Sequence, residues 1–371
     1  MRRVAVIMAG GSGERFWPAS RRARPKQLLR LTDPKRSMLE EAIERIAPLV
    51  PPEDIVIATS ETLAGPIADA IPVLRRSNVL AEPAKRNTAA CLALAAAHLE
   101  AEHGDPAQMS MAVLTADHRI GAPDVFRATV DAALSFAEQK DALLTIGVEP
   151  DRPETGYGYI EIDPTIAQQT AVGPVHRVAR FREKPDLATA EQYMRSGRHL
   201  WNSGMFFWRV STFLDGLQRH MPELAAATSG MRDALGEHAA RPGARDHVAA
   251  AFAPLADVSV DVGLMERADN VHVIRARFPW DDVGAWDSLV RTREHDASGN
   301  VNVGDAILID SRNCVVYNEP GAEKMAVSVI GLDDVVVATT PDGILVCHRS
   351  RAQDVRRAVV ELRRRGSDRL T

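Results

Sequence analysis

The chain has 371 residues, 45% of them hydrophobic and 26% charged, with a formal net charge of -5. That length supports one large domain plus a smaller one, with a core that needs no disulfide or metal staple. The acidic balance argues against a nucleic-acid-binding surface, and no apolar run approaches a membrane span. Three cysteines, Cys91, Cys314 and Cys347, show no CxxC spacing and read as buried thiols of a reducing, cytoplasmic compartment. The apolar run after Met1-Arg2-Arg3 meets a glycine loop too early to be a signal peptide.

In chain order, 3–8 (RVAVIM) predicts a buried parallel strand. Helix 38–47, strand 54–59, helix 87–102 with Asn87 as N-cap, strand 110–114, helix 123–139 and strand 142–148 follow. Strands alternating with helices imply an α/β fold, a doubly wound, mostly parallel, Rossmann-like sheet covered on both faces. Strands over 157–162, 175–183 and 205–208 extend that sheet, and helices are predicted over 211–221 and 244–252. Five short runs, 305–309, 314–317, 326–330, 335–338 and 344–347, predict a small C-terminal β-rich unit. A helix over 351–365 closes the chain, with Val355, Val359 and Leu362 on one apolar stripe. The expected division is a catalytic domain at 1–294 and the β-rich unit at 295–371.

Gly10-Gly11-Ser12-Gly13 follows the first strand directly. Glycines there let backbone N–H groups approach phosphate closely, although a plain glycine turn reads the same way. Neither the GxGxxG nor the Walker pattern is present. Between Arg2 and Arg30 stand eight basic residues and one acidic residue, which suggests a small anionic ligand.

The run from Met8 to Leu29, MAGGSGERFWPASRRARPKQLL, resembles the signature of the nucleotidyltransferases that activate hexose 1-phosphates (GT-A type). Trp17-Pro18-Ala19-Ser20-Arg21 before Pro25-Lys26-Gln27 is similar to their guanylyltransferase branch, with Phe16 where leucine is usual. The resemblance implies that GTP and mannose 1-phosphate give GDP-mannose and pyrophosphate, with Mg²⁺ as cofactor. It implies that Arg15 and Lys26 grip nucleotide phosphates. Gly10, Gly11, Ser12, Gly13, Glu82, Asn87 and Thr88 would bind the nucleotide. Asp117 in Thr-Ala-Asp-His and Asp282 in Trp-Asp-Asp-Val-Gly match the family's metal aspartates, hard anionic ligands suited to Mg²⁺. Gly156, Tyr157, Gly158, Glu183, Lys184, Asn202 and Asp261 match the sugar-phosphate segments, Lys184 holding the 1-phosphate as a point charge. Tyr159 in the same segment reads equally well as strand packing.

These matches run in order over residues 4 to about 290. The attacking phosphate oxygen is already ionised, so no histidine is needed as a base. Alternatives are a transferase for another hexose 1-phosphate or nucleotide, or a non-catalytic regulatory subunit that binds a sugar nucleotide. The tail offers two histidines after Arg293, His295 and His348, too few for a cupin metal site, which predicts no isomerase activity. Its strand edges and apolar stripe should pack on the catalytic domain or pair with a second copy as a homodimer.

Overall fold

The computed structural model describes residues 1–236, 244–319 and 325–371. Contacts group the chain into two units: Met1–Met8 with Ile43–Thr115 and Gly121–Pro279, and Ala9–Ala42 with Ala116–Ile120 and Trp280–Thr371. The loop that follows the first strand thus groups with the C-terminal part of the chain.

The strands up to residue 281 are β1 (Arg2–Met8), β2 (Ile55–Ser60), β3 (Val79–Glu82), β4 (Met109–Thr115), β5 (Arg119–Ile120), β6 (Leu143–Val148), β7 (Gly158–Thr170), β8 (Gly173–Glu183), β9 (His199–Arg209), β10 (Val271–Arg275) and β11 (Trp280–Asp281). The first unit is built on a nine-stranded sheet of order β3-β2-β1-β4-β9-β6-β10-β8-β7. Its β3-β2-β1-β4 half is parallel, as the apolar runs of β1, β2 and β4 predict for strands buried on both faces. The other half is mixed: β9 runs antiparallel to β4, β6 and β7, and β7 and β8 form a long antiparallel hairpin. Met8 pairs with Thr115 and Ser60 with Glu82, so β1 to β4 end together at one sheet edge. Open α/β sheets bind ligands outside such carboxyl ends.

Several helices cover this sheet. Asn87–His103 buries Ala89 to Ala97 and Leu99, mostly alanines whose small side chains allow close approach. Its N-cap is Arg86, not Asn87, which lies at φ 65° and accepts from the adjacent Thr88 N. A helix at Pro123–Gln139 opens on proline, where no N–H is required. β3, β10 and the helices Glu61–Ala70, Leu187–Ser196 and Pro222–Leu235 add to the elements expected from the sequence.

The second unit carries β5 paired with β11 and, beyond them, β12 (Val301–Val303), β13 (Ala306–Ile309), β14 (Val315–Asn318), β15 (Val327–Ile330), β16 (Val335–Thr340) and β17 (Gly343–His348). Along the chain these strands alternate between two parallel ladders, β12-β14-β16 and β13-β15, so the backbone winds as a coil that β17 closes with an antiparallel hairpin. One core joins this coil to the signature loop. Phe16, Leu29, Leu31 and Met38 are buried with Trp286, Tyr317, Val336, Ala352 and Val355. Phe16 packs edge-on to Trp286 at 5.1 Å, and Trp286 donates to Trp17 O at 2.9 Å. The aromatic at position 16 thus fills a core site, where truncation to alanine costs about 3–5 kcal/mol. The helix Val355–Arg364 buries Val355 and Val359 of its predicted stripe. On the coil's outer surface Ile307, Ile309 and Ile330 are exposed. Cys91, Cys314 and Cys347 are free. Among the described residues no helix is long and apolar enough to cross a membrane.

Candidate active site

Gly13 takes φ 65°, and a Cβ there would lie 2.4 Å from Lys26 Cβ, so only glycine lets the loop fold back onto Lys26. Ser20 Oγ donates to Gly13 O at 2.7 Å and Gln27 Nε2 to Ala9 O at 2.6 Å. Two polar residues of the signature therefore brace the glycine loop at its ends, while Gly10, Gly11 and Ser12 between them stay exposed.

Lys26 is buried, its side chain 7% exposed, and its ammonium donates to Asp117 Oδ2 at 2.9 Å and to Asp282 O at 2.8 Å. One cation thus gathers the two aspartates that are far apart in sequence. Burial pushes the Asp117 carboxyl up, but the Lys26 charge and hydrogen bond, joined by His118 when that ring is protonated, outweigh it, and the net shift is downward. Asp117 is accordingly an anion at neutral pH, one third exposed. Asp282 is followed by Val283 at φ 48°, a left-handed conformation that a β-branched residue rarely takes. Val283 N donates to buried Asp281 at 2.8 Å, and Arg291 grips the same carboxylate at 2.6 Å. Asp281 therefore anchors the turn that presents Asp282. A Cβ on Gly284 would lie 3.0 Å from Asp282 Oδ2 and 3.5 Å from Arg15 Nη1, so both charges border one backbone point. Arg15 is exposed and donates to Gln353 Oε1 at 2.8 Å.

His118, next to Asp117, is not needed as a base. It accepts at Nδ1 from Trp280 Nε1 at 3.1 Å, and burial lowers its basicity against the pull of Asp117, Asp282 and Asp281. That hydrogen bond leaves the proton of the neutral ring on Nε2. Among the described residues no group of three or more His, Cys, Asp or Glu side chains is arranged to hold a metal.

The first unit collects the remaining predicted residues. A Cβ on Gly158 would meet Glu183 Oε2 at 2.6 Å and Asn202 Cβ at 3.6 Å, so glycine makes room for the carboxylate. Asn202 Nδ2 donates to Asp261 Oδ1 at 2.6 Å. Burial raises the Asp261 carboxyl above its usual range, against the Asn202 hydrogen bond. Lys184, at φ 43°, pairs with Glu183 at 2.6 Å, and its backbone N donates to Tyr157 O at 3.2 Å. Gly156 N donates to Glu154 Oε1 at 3.0 Å. Tyr159 is fully buried and donates to Glu154 O, which makes it a strand-packing residue. Thr88 Oγ1 accepts from Val260 N at 2.9 Å, tying the start of its helix to the turn that bears Asp261. Burial pushes the Glu82 carboxyl up to about 7, partly offset by its hydrogen bond with the Cys91 thiol.

Arg152 and Trp201 join this group, Arg152 from outside the residues expected to bind the sugar phosphate. The Arg152 guanidinium stacks 4.9 Å over Trp201 and donates to Tyr157 Oη at 3.2 Å, while Tyr157 meets Trp201 edge-on at 5.1 Å. Trp201 directly precedes Asn202, one of the residues matched to the sugar-phosphate segments. Arg152 carries no sequence signal beyond its place upstream of Gly156.

The nucleotidyl transferase family profile matches residues 4–299, and that of the MannoseP isomerase/GMP-like beta-helix domain matches 304–362. The mannose-1-phosphate guanylyltransferase of Klebsiella pneumoniae is 38% identical over 358 residues, 96% of this chain and 73% of that protein. A solved structure of mannose-1-phosphate geranyltransferase from Thermus thermophilus is 34% identical, with a TM-score of 0.85, covering 98% of this chain and all of that one. A mannose-6-phosphate isomerase structure from Helicobacter pylori is 25% identical, with a TM-score of 0.58, over 76% of this chain and all of that one. With the family profile spanning most of its length and the signature loop, aspartates and sheet in place, the chain belongs to the nucleotidyl transferase family.

Proposed function

We propose that the chain is a mannose-1-phosphate guanylyltransferase, converting GTP and mannose 1-phosphate to GDP-mannose and pyrophosphate. The observation that carries this reading is the Lys26 ammonium seated between the Asp117 carboxylate and the Asp282 carbonyl, in a chain 38% identical to a protein of that name. A phosphate oxygen of mannose 1-phosphate attacks the α-phosphorus of GTP. The new O–P bond forms as the bond to the bridging oxygen breaks, and pyrophosphate leaves with that electron pair. The attacking oxygen is already ionised, so no proton has to move, and catalysis is alignment with charge neutralisation. Arg15 and Lys26 neutralise the nucleotide phosphates. Lys184 holds the 1-phosphate, Glu183, Asn202 and Asp261 orient sugar hydroxyls, and Glu82, Asn87 and Thr88 receive the base.

The family generally uses a divalent metal, and we assign it as Mg²⁺. Asp117 and Asp282 fit this ion: both are hard oxygen donors and both are partly exposed. Mg²⁺ takes one or two carboxylates and completes its shell with water and substrate phosphates. When bound, it supplies charge neutralisation at phosphate oxygens.

Residues 1–294 form the catalytic domain on this reading, supported by a family profile ending at 299. The protein is cytoplasmic, with three free thiols in keeping. The exposed Ile307, Ile309 and Ile330 are the surface on which a homodimer would form, and solution mass by light scattering tests it. Pyrophosphate release over a grid of four NTPs and several hexose 1-phosphates tests the activity. GTP with mannose 1-phosphate should give the highest kcat/KM, and a tenfold advantage for dTTP with glucose 1-phosphate would overturn the assignment. Conversion of fructose 6-phosphate to mannose 6-phosphate is expected to be absent, and metal-dependent turnover in that assay would contradict this.

A further inference from the structure

Residues 14–22 of the signature loop are held by residues 342–371. Arg363 pairs with Glu14 at 2.7 Å, Gln353 Oε1 accepts from Arg15 at 2.8 Å, and Leu370 O accepts from Trp17 Nε1 at 2.8 Å. Asp342 accepts from Arg21 at 2.8 Å, and Thr371 O accepts from Arg22 N at 3.1 Å. Beneath them Phe16 shares one buried core with Ala352 and Val355. Most of these contacts anchor the loop's frame. The Gln353 contact is different, because it falls on the guanidinium assigned to the nucleotide phosphates.

We propose that Gln353 is a positioning residue for Arg15, fixing its guanidinium for the nucleotide without neutralising it. A guanidinium carries five N–H donors in a rigid plane. One amide oxygen takes a single donor, sets the plane, and leaves the other donors and the full positive charge for phosphate. A carboxylate in the same place would pair with Arg15 and compete with the nucleotide. An alanine would leave Arg15 to wander, because long exposed side chains hold one geometry only at an entropic cost. The inference rests on the reading that Arg15 grips GTP.

The test is GTP kinetics at saturating mannose 1-phosphate for the full chain and for Gln353→Ala, Gln353→Glu, Arg15→Ala and the two double variants. Gln353→Ala should raise KM for GTP about two- to tenfold, the fold-change of one ordinary hydrogen bond, with kcat, KM for mannose 1-phosphate and Tm unchanged. Gln353→Glu should raise it further, although it is the closer isostere. Both effects should vanish in the Arg15→Ala background, which a merely structural role would not produce. Where that background turns over too slowly, GTP binding by calorimetry completes the cycle. Unchanged GTP kinetics in Gln353→Ala, or an equal effect with and without Arg15, would overturn the proposal. If Arg15→Ala itself leaves GTP kinetics and binding unchanged, the assignment of Arg15 to phosphate fails and the role of Gln353 falls with it.

Discussion

The Lys26 group and the Glu183–Lys184 group both pair a lysine with a carboxylate, yet they are built in opposite ways. Lys26 is buried and reaches Asp117 and Asp282 from elsewhere in the sequence, on a loop braced by Ser20, Gln27 and the coil's core. Lys184 is 63% exposed and pairs with its own neighbour at a hairpin end. A pair whose cation is buried and whose partners come from distant segments resists rearrangement, because breaking it strands that charge. An exposed local pair is worth little and opens readily to a ligand. On the proposed function, the first arrangement suits charges that must be aligned at the reacting phosphates. The second suits the role proposed for Lys184, exchanging a carboxylate for an incoming sugar phosphate.

The largest effect should come from the buried group. Asp117→Asn and Asp282→Asn should each lower kcat by a factor on the order of 100 or more by removing a hard metal ligand, with the circular dichroism spectrum unchanged. A variant keeping over about a tenth of wild-type kcat at saturating Mg²⁺ would remove that residue from the metal site.

Lys26→Ala should cost about 100-fold in kcat/KM for GTP, as deletion of a transition-state charge partner does elsewhere. Unchanged nucleotide kinetics would make the buried cation a structural ion pair only. Lys184→Ala tests the exposed partner, with about a tenfold rise expected in KM for mannose 1-phosphate and little change for GTP. If KM for GTP moved instead, the division of labour between the two lysines would be wrong.

The smallest expected effect concerns Glu82, whose carboxyl ionises at about 7. On the proposed role of Glu82 at the base, the ionised carboxylate offers both oxygens to the guanine N1–H and amino group where the protonated form offers one, so GTP affinity should rise several-fold from pH 6 to 8. Glu82→Gln should flatten that profile. The stability sign runs the other way. A raised carboxyl favours the protonated native state, so its contribution is full below about 4.5 and is lost as pH rises through about 7. A profile equally steep in the Gln variant would assign the titration to another group.

By itself, the sequence determined what local patterns encode. The apolar Val/Ile runs specified buried parallel strands, the stripe Val355-Val359 specified an amphipathic helix, and an ordered set of short motifs specified the family. It left other local signals unused, such as Asp186 capping the helix Leu187–Ser196 and Gly197 ending it at φ 62°. Only the tertiary structure decided which residues meet. Nothing in Lys26, Asp117 or Asp282 taken singly says that the Lys26 ammonium joins the two aspartates. Nor does the tail's irregular spacing reveal that its strands stack as a coil and share a core with Phe16. The physical reason is range. Propensity and periodicity act over a few residues, whereas a buried ion pair or a shared core is fixed by the strand order and loop packing that bring distant segments together.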